Sequence, residues 1–167
     1  RRKWDEDKDD SFIDALCGNR EYQKEAIYTA LRYLLGGEYR DLRDLAQKNF
    51  ERNETLGERY GSFAGMEHQL QLPNQLSASL DLATVTGKSY VMYGIATIML
   101  AEGAVDRVLV LCPSTTIESG LIEKFESLSG NADLRDLLPS DAVVNAPRII
   151  NASESITSGS ICIENYH

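Results

Sequence analysis

The sequence is poor in the residues that build disulfide frameworks and metal clusters. It has three cysteines, Cys17, Cys112 and Cys162, and two histidines, His68 and His167. Widely spaced cysteines in odd number argue for reduced thiols in a cytoplasmic setting. No Cys/His grouping has the spacing of a zinc site. No apolar run approaches the ~20 residues of a membrane-spanning helix, so no membrane partner is expected. The charged N-terminus lacks the apolar stretch of a secretory signal. Positive charge is scarce: 17 Lys and Arg stand against 26 Asp and Glu, a net charge of −9. Such a chain is not built to coat nucleic acid, though it can grip it in a groove shared with another domain. Internal repeats, heptads and low-complexity tails are missing, and there is no initiator Met, so a fragment or trimmed form is expected. What remains is an ordinary globular composition of 167 residues, 43% apolar and 26% charged, enough for one domain with a sizeable core.

One stretch organises the rest: Leu80-Asp81-Leu82-Ala83-Thr84-Val85-Thr86-Gly87-Lys88-Ser89. It reads as a short strand over Ser77 to Ala83, a tight loop, and a helix from Lys88 to about Ala101. That helix carries Val91, Met92, Ile95, Ile98 and Met99 on or near one face. Strand, loop and helix N-terminus in this order form the context of a phosphate-binding P-loop. Loop amides and the helix dipole converge on one anion, Lys88 reaches the outer phosphates, and the Ser89 hydroxyl ligates Mg²⁺.

Upstream, Arg20 to Leu35 keeps helical spacing through Ala26, Ile27, Ala30, Leu31 and Leu34, and Gly36-Gly37 stops it. Residues 1–10 read as a solvated terminal segment, followed by a short helix capped by Asp10 or Ser11. Glu38 to Leu56 reads as a polar helix with an apolar stripe of Tyr39, Leu42, Leu45, Ala46 and Phe50. Asn53 to Pro73 reads mostly as loop, with a helical turn near Met66 to Leu70. Downstream, Arg107 to Cys112 is a near-continuous apolar run, as in a buried parallel strand, and completes a right-handed βαβ unit with the P-loop strand. Pro113 ends it, and Thr115 or Thr116 is placed to cap an amphipathic helix over Ile117 to Leu128. A short helix over Ala132 to Leu138 and strands at 142–144, 148–150 and 161–164 close the chain.

The loop resembles the A-T-G-T-G-K-[ST] variant of superfamily 2 helicases: Ala83, Thr84, Thr86, Gly87, Lys88 and Ser89 stand as that family has them. Arg20-x-Tyr22-Gln23-x-Glu25-Ala26-Ile27 resembles its Q-motif, and Pro113, Ser114 and Thr115 resemble its motif Ia. The whole pattern, from Arg20 to about Tyr166, looks like the start of the Res subunit of type III restriction enzymes, or a DEAD/DEAH-type helicase of that group. The resemblance implies a RecA-like P-loop three-layer α/β/α sandwich with a mainly parallel sheet, incomplete here, and an N-terminal helical region. Residues 1–167 would be a partial first motor domain, with the Q-motif helix at 20–36, a helical and loop insertion at 37–76 and the P-loop α/β core at 77–167. It further implies ATP and Mg²⁺ held by Gln23, Thr84, Val85, Thr86, Gly87, Lys88 and Ser89. Gln23 would read adenine, Arg20 or Tyr22 would flank the base, Lys88 would serve catalysis and Ser89 the metal. Pro113, Ser114 and Thr115 would touch nucleic-acid phosphates, DNA would be engaged through the full-length protein, and a methyltransferase (modification) subunit would be a partner.

Two departures matter. Val85 stands where the family has a glycine expected at positive φ, a place where a β-branched residue is strained by roughly 1–3 kcal/mol. It motivates the rival reading of a degenerate P-loop module that acts as an interaction domain without nucleotide turnover. Glu164-Asn165-Tyr166-His167 has the spacing of the family's Asp-Glu-x-His box, but Asn165 replaces the water-positioning Glu. This stretch therefore reads as an earlier strand, with the acidic box beyond it, and residues 1–167 are not expected to turn ATP over unaided. A P-loop kinase or GTPase is disfavoured, because no Asn-Lys-x-Asp guanine reader is present.

Overall fold

The computed structural model describes residues 3–83 and 87–167. The helices come first: α1 (Asp10–Cys17), α2 (Glu21–Leu35), α3 (Leu42–Arg52), α4 (Glu54–Tyr60), α5 (Phe63–His68) and α6 (Lys88–Ala101). The sheet elements follow: β1 (Val108–Cys112), α7 (Thr115–Ser129), α8 (Ala132–Arg135), β2 (Arg148–Asn151) and β3 (Ser160–Asn165). The three strands form one parallel sheet in the order β1-β3-β2, with Val110 opposite Ile163 and Ile149 opposite Ile161. The chain is thus a mixed α/β protein with a small parallel sheet and many helices.

Strand alternation sends Val110, Cys112, Ile161 and Ile163 into the main core beside Phe125 of α7 and Tyr93 of α6. The two rings meet edge to face at 5.3 Å. The opposite side of β1 presents Leu109 and Leu111, which are 50% and 56% exposed. Central β3 is buried from Ser160 to Ile163, the placement a continuous apolar run predicts for a parallel strand.

Helix α6 is the hub of the helical layer. It packs against α1, α2 and α7, so Val91, Tyr93, Ala96, Ile98 and Leu100 are all buried. The one-sided stripe read from the sequence understates this: the helix is apolar on most of its faces because it is surrounded. Gly94 permits the close approach, since a Cβ there would stand 2.8 Å from Ile27 Cδ1 and 2.9 Å from Leu16 Cδ2.

Four expectations are corrected. Ser77 to Ala83 forms no strand. Its Ser, Ala and Asp residues leave Leu80 and Leu82 as its only large apolar groups, and Leu80 is 42% exposed; too little burial accompanies this segment to offset its ordering. The expected βαβ unit through α6 is therefore not formed among the described residues. Residues 54–68 are mostly helical, in α4 and α5, rather than mostly loop; irregular chain begins only after them. The Asn53 side chain accepts from Thr55 N to start α4, and Ser62 Oγ accepts from Gly65 N to start α5. The intervening glycine, Gly61 at φ 68°, is a helix stop. The N-terminal segment is docked, not solvated: Trp4 is buried and donates its indole N–H to Asp9 Oδ2 at 2.7 Å. Residues 142–144 form no strand; Val143 N donates to Ala101 O instead.

Candidate nucleotide site

The site is built where α2 meets the start of α6. Gly87 precedes α6 in the left-handed region, φ 70° and ψ 44°, a conformation costly for any residue with a Cβ. It is also crowded, because a Cβ at residue 87 would stand 2.4 Å from Gln23 Nε2 and 3.3 Å from Tyr90 Cδ2. Two independent constraints therefore demand glycine at this position. Helix α6 begins without a side-chain cap. First-turn amides of a helix have no partner within it, and here they lie beside the exposed Lys88 and the half-buried Ser89.

Gln23 sits in the first turn of α2. Its side chain is fully buried, and Nε2 donates to Gly87 O at 3.3 Å. The amide that the sequence picks out as a base reader thus lies directly on the loop, across 64 residues of chain. Of the two candidates to flank a base, Tyr22 is 44% exposed. Arg20 is held firmly. Its Nε donates to Cys17 O at 2.8 Å, its Nη2 donates to Leu16 O, and its guanidinium lies 4.5 Å from the Tyr90 ring centroid. Thr84, Val85 and Thr86 lie outside the described residues.

Tyr90 is a residue the sequence reading passed over. Besides Arg20 it meets Lys124 of α7, whose ammonium donates to Tyr90 Oη at 3.4 Å and stands 5.1 Å from the ring centroid. Only its place two residues after Lys88, on the first turn of α6, could have marked it. Arg20 and Lys124 meet at this ring. Arg20, Lys88 and Lys124 make no ion pair with a carboxylate among the described residues, nor do Arg52 and Arg59, whereas Lys24, Arg32, Arg43, Lys48 and Arg148 do.

The described residues hold no group of three or more Cys, His, Asp or Glu able to bind a metal. Mg²⁺ commonly binds through substrate phosphates and keeps several waters rather than filling an all-protein cage.

The segment expected to touch nucleic acid follows β1. Pro113 and Thr115 are exposed. Ser114, rather than Thr115 or Thr116, caps α7, its Oγ accepting from Ile117 N at 3.3 Å. At the same end of the sheet, Asn165 Nδ2 donates to Glu118 Oε2 and ties the end of β3 to α7.

A family model described as type III restriction enzyme, res subunit, a helicase superfamily 2-type domain, matches residues 17–167. Neither the curated proteins nor the solved structures contain a match to this chain.

Proposed function

The chain belongs to the family of type III restriction enzyme Res subunits, and from that premise we propose that it carries the ATP–Mg²⁺ site of a DNA translocase. The family is one of ATP-dependent helicase-like modules in restriction systems. The finer reading is that residues 1–167 are part of the first RecA-like lobe of a three-layer motor, with 37–76 inserted between the Q-motif helix and the α/β core.

In this reading the amides of the Gly87 turn and the N-terminus of α6 receive the phosphates, and Lys88 neutralises the charge of the outer two. Ser89 supplies the hydroxyl for Mg²⁺, and Gln23 reads adenine once its buried amide leaves Gly87 O and turns to the base. Pro113, Ser114 and Thr115 offer backbone and hydroxyl groups to a DNA phosphate chain, beyond the carboxyl end of β1, where parallel sheets take their ligands. ATP hydrolysis, a modification-methyltransferase partner and a cytoplasmic location belong to the same reading.

The observation that carries it is the docking of Gln23 on Gly87 O at the start of α6. An ordinary strand–turn–helix corner has no use for a buried amide at the mouth of a left-handed glycine. Calorimetric titration with ATP in excess Mg²⁺ tests it. The chain is expected to bind ATP, and Lys88→Ala is expected to weaken binding by at least about tenfold, since removing a charge-assisted contact to phosphate costs about 1.5–3 kcal/mol. Wild-type protein that ignores ATP, or a Lys88→Ala variant that binds it equally, refutes the reading.

A further inference from the structure

Gln23 and Ile27 stand one turn apart on α2, and Gly87, just before α6, stands two turns ahead of Gly94 within it. The two pairs meet. Gln23 Nε2 donates to Gly87 O at 3.3 Å, and Ile27 Cδ1 lies where a Cβ on Gly94 would come within 2.8 Å of it. Gln23 and Ile27 are both fully buried. A missing Cβ at both places lets α2 sit close on α6, so the packing of the helix pair holds the Gln23 amide on the turn.

Gly87 O also accepts from Tyr90 N at 3.0 Å as α6 begins. The carbonyl is therefore fixed from two directions. In a planar trans peptide the N–H of the next residue points away from the carbonyl, so fixing Gly87 O also fixes the direction of Lys88 N–H. Gly87 is left-handed and Lys88 is helical. That succession turns neighbouring amides toward one side, the backbone shape that cups anions.

We propose that Gln23 is a positioning residue for the phosphate turn, ordering Gly87 and the first amides of α6 before any base is present. This rests on the phosphate half of the nucleotide reading and not on its adenine half. The amide cannot stay buried on Gly87 O and also reach a base, so the two roles alternate. A phosphate chain that carries no base leaves the clamp closed.

The test is titration calorimetry of this chain with inorganic tripolyphosphate and with ATP, both in excess Mg²⁺. Gln23→Met keeps an unbranched side chain of similar length but has no donor. It is expected to weaken tripolyphosphate about threefold to tenfold, the size of one hydrogen bond. Its melting temperature should change little, because Tyr90 N still satisfies Gly87 O. Proton–nitrogen correlation spectra add a local readout. Saturating tripolyphosphate should shift the Lys88 amide proton in wild type and shift it clearly less in Gln23→Met, whereas a role confined to core packing leaves that shift unchanged. Should Gln23→Met not fold, wild type decides: the Gln23 side-chain amide protons stay protected from solvent exchange with tripolyphosphate bound, and their exposure overturns the proposal. A Gln23→Met variant that binds tripolyphosphate like wild type overturns it too, and leaves the phosphate site standing. So does wild-type protein that binds ATP but not tripolyphosphate. Wild-type protein that binds neither brings down the nucleotide reading itself.

Discussion

Asp9 should set much of the pH dependence of folding. It is fully buried, its Oδ2 accepts the Trp4 indole N–H at 2.7 Å, and its Oδ1 has no hydrogen-bond partner among the described residues. Burial pushes its carboxyl up from 3.8 to about 6; the Trp4 hydrogen bond opposes this, the Glu102 and Asp10 charges reinforce it, and Lys8 opposes it. Because the folded value is raised, the folded state binds a proton that the unfolded state has released across the window from about pH 4 to about pH 6. Stability falls as pH rises through that window, by about 1.4 kcal/mol per pH unit, or roughly 3 kcal/mol in all. Asp9→Asn keeps an oxygen for Trp4 and cannot ionise, so the difference between the variant's stability and wild type's should climb by about that amount between pH 4 and pH 7. The absolute offset is a separate matter, because the new Nδ2 takes the place of an oxygen that found no partner and leaves a buried donor, costing about 1–3 kcal/mol. Urea unfolding followed by fluorescence reads this directly, since Trp4 is the single tryptophan and touches the titrating group. Parallel stability curves for variant and wild type across pH 4–7 would refute the argument.

Two further outcomes follow from the site. Gly87→Ala places a Cβ 2.4 Å from Gln23 Nε2 at φ 70°, so it should cost about 1–3 kcal/mol in thermal unfolding, from left-handed strain and the displaced amide. It should also weaken ATP by more than about tenfold, because Gln23 and the turn move together. Ser114→Ala removes the α7 cap and should lower unfolding stability by about 1 kcal/mol while leaving ATP affinity unchanged, which calorimetry on the same sample checks.

The helices were legible where a stop signal and apolar spacing agreed. The α2 residues Ala26, Ile27, Ala30 and Leu31 are all buried, and glycine ends the helix as its sequence predicts. The short helices were missed because Gly57, Gly61 and Gly65 read as breakers. In fact Gly61 closes α4 at positive φ while Asn53 and Ser62 open the neighbouring turns with their side chains. The 77–83 strand was over-read for a complementary reason. A strand exists only through its ladder, and nothing in the segment's own residues supplies one. Trp4 escaped notice because a charged run around a single aromatic looks solvated until the aromatic finds a buried acceptor in Asp9.

At the site, the sequence could name Gln23 and Gly87 only through separate local patterns 64 residues apart; their contact is a fact of packing between α2 and α6. Tyr90 and Lys124 carried no pattern at all, because cation–π geometry has no sequence spacing when the partners come from three different helices or helix junctions. Net charge misled in the same way. A total of −9 speaks of the whole surface, whereas binding depends on whether particular cations have already been neutralised by neighbours. Lys24 is flanked by Asp14 and Glu21, and Lys48 by Asp44, so neither adds to the field that an arriving anion meets. Lys88 makes no such pair among the described residues, so the total of −9 does not decide what an anion meets at the start of α6.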